Sequence, residues 1–196
     1  MKKTATKINA ALLGILFAAT VCAAADTFKI DPSHSTVGFT ATHLTVSKTS
    51  GKFTDYVGTI QYDPNDLASF RADVTIQVAS IDTGVNDRDN HLRGEDFFDA
   101  QKYPTITFKS AALEAQGEGY VIHGDLTIRS MTKHVAIPVV ISGPVKSPFG
   151  AEVIGVTGEL KINRKDFGVS WHKVMDNGGL MVGDDVDIWV NLEASK

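Results

Sequence analysis

Through most of its length the chain alternates apolar and polar residues with a period of two. Val37, Phe39 and Ala41 are separated by Gly38, Thr40 and Thr42, and Val74, Ile76 and Val78 alternate with Asp73, Thr75 and Gln77. Ile60 and Tyr62 follow Gly58 and run into the turn Asp63-Pro64-Asn65. Ile106 and Phe108 open a run to about Leu113, and Gln116 to Gly119 reads as a hairpin turn. Further runs are Ile122, Leu126, Ile128; Val135, Ile137, Val139, Ile141; Ile154, Val156, Leu160, Ile162; and Val186, Ile188, Val190, Leu192. Such alternation puts one face of each segment in a core and the other in water, which is the signature of half-buried β-strands. Short turns between them dictate antiparallel pairing, because parallel pairs need long crossovers. The expectation is an all-β, antiparallel barrel of about eight strands. A sandwich has the same pattern, but closure removes both exposed edges. Gly38, Gly58, Gly124, Gly155 and Gly158 fall inside the runs, where glycine marks bends or bulges at barrel corners.

One stretch breaks the rhythm. From Asn86 to Phe108 the chain reads N-D-R-D-N-H-L-R-G-E-D-F-F-D-A-Q-K-Y-P-T-I-T-F. The dense charge of 86–94 predicts a helix, and a second helical turn is expected near 96–101. Together they form a short helical insertion over 86–101. Its aromatics, Phe97, Phe98 and Tyr103, suit a plug for one end of the barrel.

The first residues belong to a different class. Lys2, Lys3 and Lys7 precede an apolar run from Ala10 to Ala19, and Ala23-Ala24-Ala25 gives an A-x-A site before Asp26. This predicts a signal peptide over 1–25, cut between Ala25 and Asp26, and a single domain over 26–196 exported to the periplasm. Cys22, the only cysteine, would leave with it, so the mature chain has no thiol chemistry and no disulfide. Val21 before it argues against lipidation. Losing three lysines and no acids takes the net charge from −4 to −7. An acidic domain is a poor partner for nucleic acid or anionic lipid surfaces, and no other segment has the length to stay inserted in a membrane. A homodimer through an open edge near the final strand is the one assembly the pattern leaves room for.

The chain lacks the nucleophile elbow, phosphate loop, dinucleotide fingerprint and zinc-protease helix. Asp184, Asp185 and Asp187 read as turn charges at the start of the last strand. His34, His43, His91, His123, His134 and His172 are never two or four residues apart, so no local ligand pair exists and no metal is expected. No catalytic residue is assigned. Arg88 and Arg93, with His91, either fix the helix by hydrogen bonds or meet the polar head of a ligand at the barrel end.

The block Asn86, Arg88, Asp89, His91, Leu92, Arg93, Asp96, Phe97, Phe98, Asp99, followed by Tyr103, Pro104, Ile106 and Phe108, resembles the signature of the YceI-like family of periplasmic, lipocalin-like, polyisoprenoid-binding proteins. Ile30-Asp31 with His34-Ser35, Gly124 to Ile128 with Thr132 to Val135, and Ile162 to Gly168 extend the resemblance over about residues 27–193. Arg88 stands one place nearer Asn86 than in the signature, and Gly94 replaces the Ser or Ala of many relatives, which loosens the helix end. The resemblance implies an elongated barrel holding a long apolar chain, such as an isoprenoid quinone or a fatty amphiphile, as a non-covalent ligand. Val37, Phe39, Val74, Ile76, Ile106, Phe108, Leu126 and Ile128 would line it, with Phe97 and Phe98 at its end and Arg88, His91 and Arg93 near the head. On this view the protein is a non-catalytic carrier. An enzyme or redox partner acting on such a lipid, and an empty barrel serving as a stress-related interaction module, remain the alternatives.

Overall fold

In the computed structural model, residues 25–176 and 178–196 are described. The predicted signal peptide, Cys22 included, lies outside them except for Ala25, and Asp26 opens the first strand. The strands are β1 (Asp26–Ile30), β2 (Thr36–His43), β3 (Ser47–Phe53), β4 (Tyr56–Tyr62), β5 (Arg71–Gln77), β6 (Ile81–Asp82), β7 (Thr105–Gln116), β8 (Gly119–Ile128), β9 (Met131–Lys146), β10 (Glu152–Asn163) and β11 (Val182–Ser195). One α-helix, α1 (Asn86–Arg93), interrupts them. All pairings are antiparallel.

The strands close because β1 pairs with both β4 and β11, completing a ring of β1, β4, β5, β7, β8, β9, β10 and β11. The other three extend that wall at one end. β2 pairs with the first part of β11, while Lys29 and Ile30 of β1 pair with its last residues, Ser195 and Ala194. Thus β1 and β2 are two halves of one bent stave, broken by a 3-10 turn over Pro32–His34. The side chain of Asp31 accepts the amide of Ser33 at that turn, and Pro32 supplies the fixed φ of a first helical position. β11 is paired along both edges, so the open edge expected at the final strand is absent there.

Two expectations need correction on the way to the barrel end. Val78 does not extend β5. It opens a 3-10 turn, Val78–Ser80, because its amide donates to the carbonyl of Pro104 at 2.9 Å, and its side chain is buried inside the bend. The second helical turn near 96–101 is also missing. There the amides of Asp99 and Ala100 fold back onto the carbonyls of Gly94 and Arg93, and Asp99 adopts a left-handed φ of 50°. Helix α1 itself stops at Arg93, and Gly94 follows in extended conformation.

The inner glycines also do more than bend strands. A Cβ on Gly38 would overlap the indole of Trp189, its cross-strand neighbour on the outer face. A Cβ on Gly124 would meet the Phe108 ring at 2.6 Å. Clearance for the indole is therefore the reason at Gly38, and at Gly124 the Lys109 carbonyl at 2.5 Å adds to the Phe108 ring, with a register irregularity beside it. Inward positions of all the long strands bury one continuous core from Phe28 to Ala194. Each large apolar side chain there contributes about 1.5–3 kcal/mol of transfer free energy.

Candidate functional site

The core is not solid. Two chambers lie inside the barrel, one of about 150 Å³ near α1 and a deeper one of about 120 Å³. They share Val37, Ile76, Leu126 and Ile188, so they are consecutive spaces along one barrel interior. Neither is lined by a carboxylate, imidazole, hydroxyl or thiol from the described residues. The ten apolar residues that the resemblance names for the lining, eight on strands plus Phe97 and Phe98, all border this space. Phe97, Phe98, Phe39, Ile106 and Ile128 line the outer chamber, Val74 and Phe108 the inner one, and Val37, Ile76 and Leu126 both.

A third pocket of about 190 Å³ opens from the outer chamber, sharing Phe39, Ala41, Leu92, Phe97 and Val182 with it. Its remaining walls include Thr42, His43, Thr49, Thr83, Arg88, His91 and Trp171. The interior therefore grades from pure hydrocarbon to a polar mouth.

Helix α1 forms one wall of that mouth, and its charges hold it there. Asp89, 4% exposed, accepts the amide and hydroxyl of Thr83 at 2.9 and 2.5 Å. Arg88 donates to the Thr83 hydroxyl and carbonyl at 2.7 and 2.9 Å. Arg93 donates to the carbonyls of Ala79 and Ile81, at 2.8 and 2.6 Å, and to Asn90. Of the three residues considered for a polar head, Arg88 and His91 line the mouth, whereas Arg93 is turned onto backbone carbonyls. The His91 ring pairs with Asp96 at 2.9 Å and stands edge-on to Phe97 and Trp171. Leu92, Phe97 and Phe98 close the barrel beneath, with Phe98 edge-on to Phe53. Tyr103 is not part of this plug. It lies under the Arg129 guanidinium, while Arg129 donates to the carbonyls of Phe97 and Gly168.

The facing wall rests on Arg164, which the sequence reading passed over. It is 5% exposed and lines the outer chamber. Its N–H groups are spent on the carbonyls of Gly183, Val169, Trp171 and Val182 and on the carboxylate of Asp184. Burial pulls the guanidinium below its usual range, and Asp184 partly offsets this. Arg164 thus ties the segment bearing Trp171 to the start of β11. The cue in the sequence was its place in the Ile162 to Gly168 segment that carries the family resemblance, where no role was read for it.

At the far end, beyond the inner chamber, Tyr62 is 3% exposed and edge-on to Phe70. Its hydroxyl faces that of Tyr120 at 3.5 Å, and burial first, then that neighbour, pushes its pKa up to about 12.

A family model described as a YceI-like domain matches residues 28–194. The chain belongs to the YceI-like family. A UPF0312 protein of Photorhabdus laumondii is 37% identical over 167 residues, covering 85% of this chain and 86% of that protein. A UPF0312 protein of Staphylococcus aureus is 36% identical, covering 86% and 96%. Among solved structures, Burkholderia cenocepacia BcnA superposes with a TM-score of 0.73 at 30% identity, covering 84% of this chain and 98% of its own. A polyisoprenoid binding domain from Saccharophagus degradans, implicated in plant cell wall breakdown, has a TM-score of 0.64 at 16% identity, covering 85% and 97%. This YceI-like barrel thus shares its fold with that domain.

Proposed function

We propose that this protein is a non-catalytic carrier that holds the hydrocarbon tail of an amphiphile inside the barrel and its polar head at the mouth. The observation that carries the reading is the gradient just described, two hydrocarbon-lined chambers opening into a mouth bearing Arg88 and His91. The Saccharophagus domain of the same fold is described as polyisoprenoid-binding, which favours an isoprenoid tail, quinone-headed or otherwise, held without any covalent link.

Size limits what fits. A cavity of about 150 Å³ takes one benzene-sized group, so the two chambers hold about two five-carbon units. Ten buried carbons supply about 8 kcal/mol, enough to retain a ligand before the cost of association is met. A longer tail passes out through the mouth or displaces Leu92 and Phe98. Among the described residues, the two chambers that would hold the tail carry no acid, base or nucleophile, which favours carriage over turnover there. The leader read in the sequence supports a periplasmic setting for this carrier, and no helix among the described residues is long and apolar enough to cross a membrane.

The test is extraction of natively purified protein with organic solvent, followed by mass spectrometry. About one lipid per chain is expected, and Leu126→Phe, which fills the junction between the chambers, should empty the barrel. Extracts without stoichiometric lipid would sink the proposal.

A further inference from the structure

A second group of side chains converges outside the barrel, at the seam where it closes. Asp31 caps the start of the 3-10 turn after β1, His34 closes that turn, and Glu193 comes from the far end of β11. Their donor atoms lie within 4.8 Å of one another. His34 Nδ1 is 2.8 Å from Asp31 Oδ2 and 3.8 Å from Glu193 Oε1.

Some acids of the chain have lysine or arginine partners, whereas Asp31 and Glu193, like Asp96, Glu114 and Asp125, have only a histidine among the described residues. Asp187 is neutralised by Lys48 and Lys161, Asp184 by Arg164 and Lys165, and Asp26 and Glu152 share Lys196. Asp31 and Glu193 have no lysine or arginine partner among the described residues, and a single imidazole lies between them. Two carboxylates therefore face one titratable ring, a charge deficit that a divalent cation would fill. The three positions are also held against one another from outside the donor atoms. The Asp31 amide donates to the Glu193 carbonyl at 2.9 Å, and the Glu193 amide donates to the Ser35 hydroxyl at 2.9 Å. Nothing in the carriage of a lipid uses these residues.

We propose that Asp31, His34 and Glu193 form a binding site for a divalent transition-metal cation of the zinc class. One imidazole nitrogen and two carboxylate oxygens are donors that zinc accepts at about 2.0–2.2 Å, which requires the donors about 3.4 Å apart in a tetrahedron. The present separations bracket that distance, so sub-ångström to ångström shifts of exposed side chains suffice. Water completes the coordination. Imidazole in the set favours zinc over magnesium or calcium, which prefer oxygen alone. A cation there bridges the turn between β1 and β2 to β11, tightening the seam, and it does so whether or not the barrel holds a lipid.

The experiment is titration of the full chain with Zn²⁺ alone, by equilibrium dialysis and thermal melting, with Mg²⁺ as control. Wild type should bind one more zinc per chain than His34→Ala or Glu193→Gln. Its melting temperature should rise by roughly 5–10 °C at a hundredfold excess over Kd. Both variants should lose that rise while melting near wild type without metal, since the side chains are largely exposed. A His123→Ala/His134→Ala variant should keep it. Cys22 is common to all these chains, so zinc held there cancels in the comparison. Equal zinc stoichiometry in wild type and His34→Ala, or the same thermal rise with Mg²⁺, would overturn the proposal.

Discussion

The two ends of the barrel are closed by different chemistry. The far end is shut by rings on or next to the strands: Tyr62 of β4 and Tyr120 of β8 meet through their hydroxyls, and Phe70, just before β5, stands edge-on to Tyr62. The mouth is shut by pieces that are not strands. Helix α1 forms one wall, bolted through Asp89, Arg88 and Arg93, and the Trp171 segment forms the other, hung from Arg164. Strand-borne rings can move only if the sheet opens, whereas a clasp of side chain to carbonyl bonds can release while the barrel stays closed. For the proposed carrier, the difference favours the mouth over the far end as the route for a ligand.

The largest effect expected from breaking this contrast lies at Arg164. Arg164→Met retains most of the side-chain volume but strips the carbonyls of Val169, Trp171 and Gly183 of their buried donor. Leaving such acceptors unpaired, with Asp184 half-buried, should cost about 3–5 kcal/mol. For a domain of this size that is a fall in melting temperature of roughly 10 °C. Hydrogen exchange should then accelerate over the segment between Val169 and Val182 and not in β4 or β8. Acceleration spread evenly over the barrel would mean that Arg164 supports the whole fold rather than the mouth.

Next in size is a change in the space between the two ends. Leu126 is 8% exposed and borders both chambers, so Leu126→Ala should cost about 2–4 kcal/mol through lost transfer energy and the cavity left behind. If the barrel carries a tail, the variant should co-purify with lipids of longer or bulkier chain. An unchanged lipid profile would place the tail elsewhere.

A smaller effect separates the two walls of the mouth. Asp89→Ala removes the buried acceptor of the Thr83 amide and hydroxyl and should cost about 2 kcal/mol, as expected for hydrogen bonds to a charged group. Guanidinium or urea unfolding measures it, and a change below about 0.5 kcal/mol would show that Arg88 and Arg93 hold α1 without it.

How far these parts were legible in the sequence follows from the range of the interactions that build them. Val37, Ile76, Leu126 and Ile128 announce their inward direction by alternation, which depends only on neighbours two residues away, so the lining could be read directly, though whether the space is hollow could not. Strand β3, Ser47–Phe53, could not, because its face carries serine, lysine and threonine and it is held as a strand by its register with β2. Val78 misled for the opposite reason: its alternation is perfect, but the carbonyl of Pro104, far along the chain, takes its amide and bends the stave. The mouth is built from pairs five to nineteen residues apart that follow no period. Asp89 points to Thr83, Arg93 to Ala79 and Ile81, and Arg164 to Val169, Trp171 and Gly183. The family signature marked α1 as distinctive, but no periodicity connects Arg164 with Trp171.

The far end offers the subtlest test, visible only in alkali. The Tyr62 phenol titrates at about 12 in the folded protein, against 10.0 ordinarily, chiefly because burial disfavours the phenolate. Between those values the unfolded chain has surrendered the Tyr62 proton and the folded chain still holds it, so unfolding releases a proton. The stability linked to this group is therefore fully present below pH 10 and is lost as the pH rises toward 12. Tyr56, whose pKa burial also raises, adds a slope of the same sign. Tyr62→Phe should shift the urea midpoint little at pH 8, since the bond it loses is long at 3.5 Å. Above pH 10 its midpoint should fall less steeply than that of wild type, leaving the shares due to Tyr56 and to Lys161 and Lys196, whose ion pairs raise their pKa values. Parallel curves up to pH 11 would mean that water reaches Tyr62, and a wet far end would be a second way into the barrel.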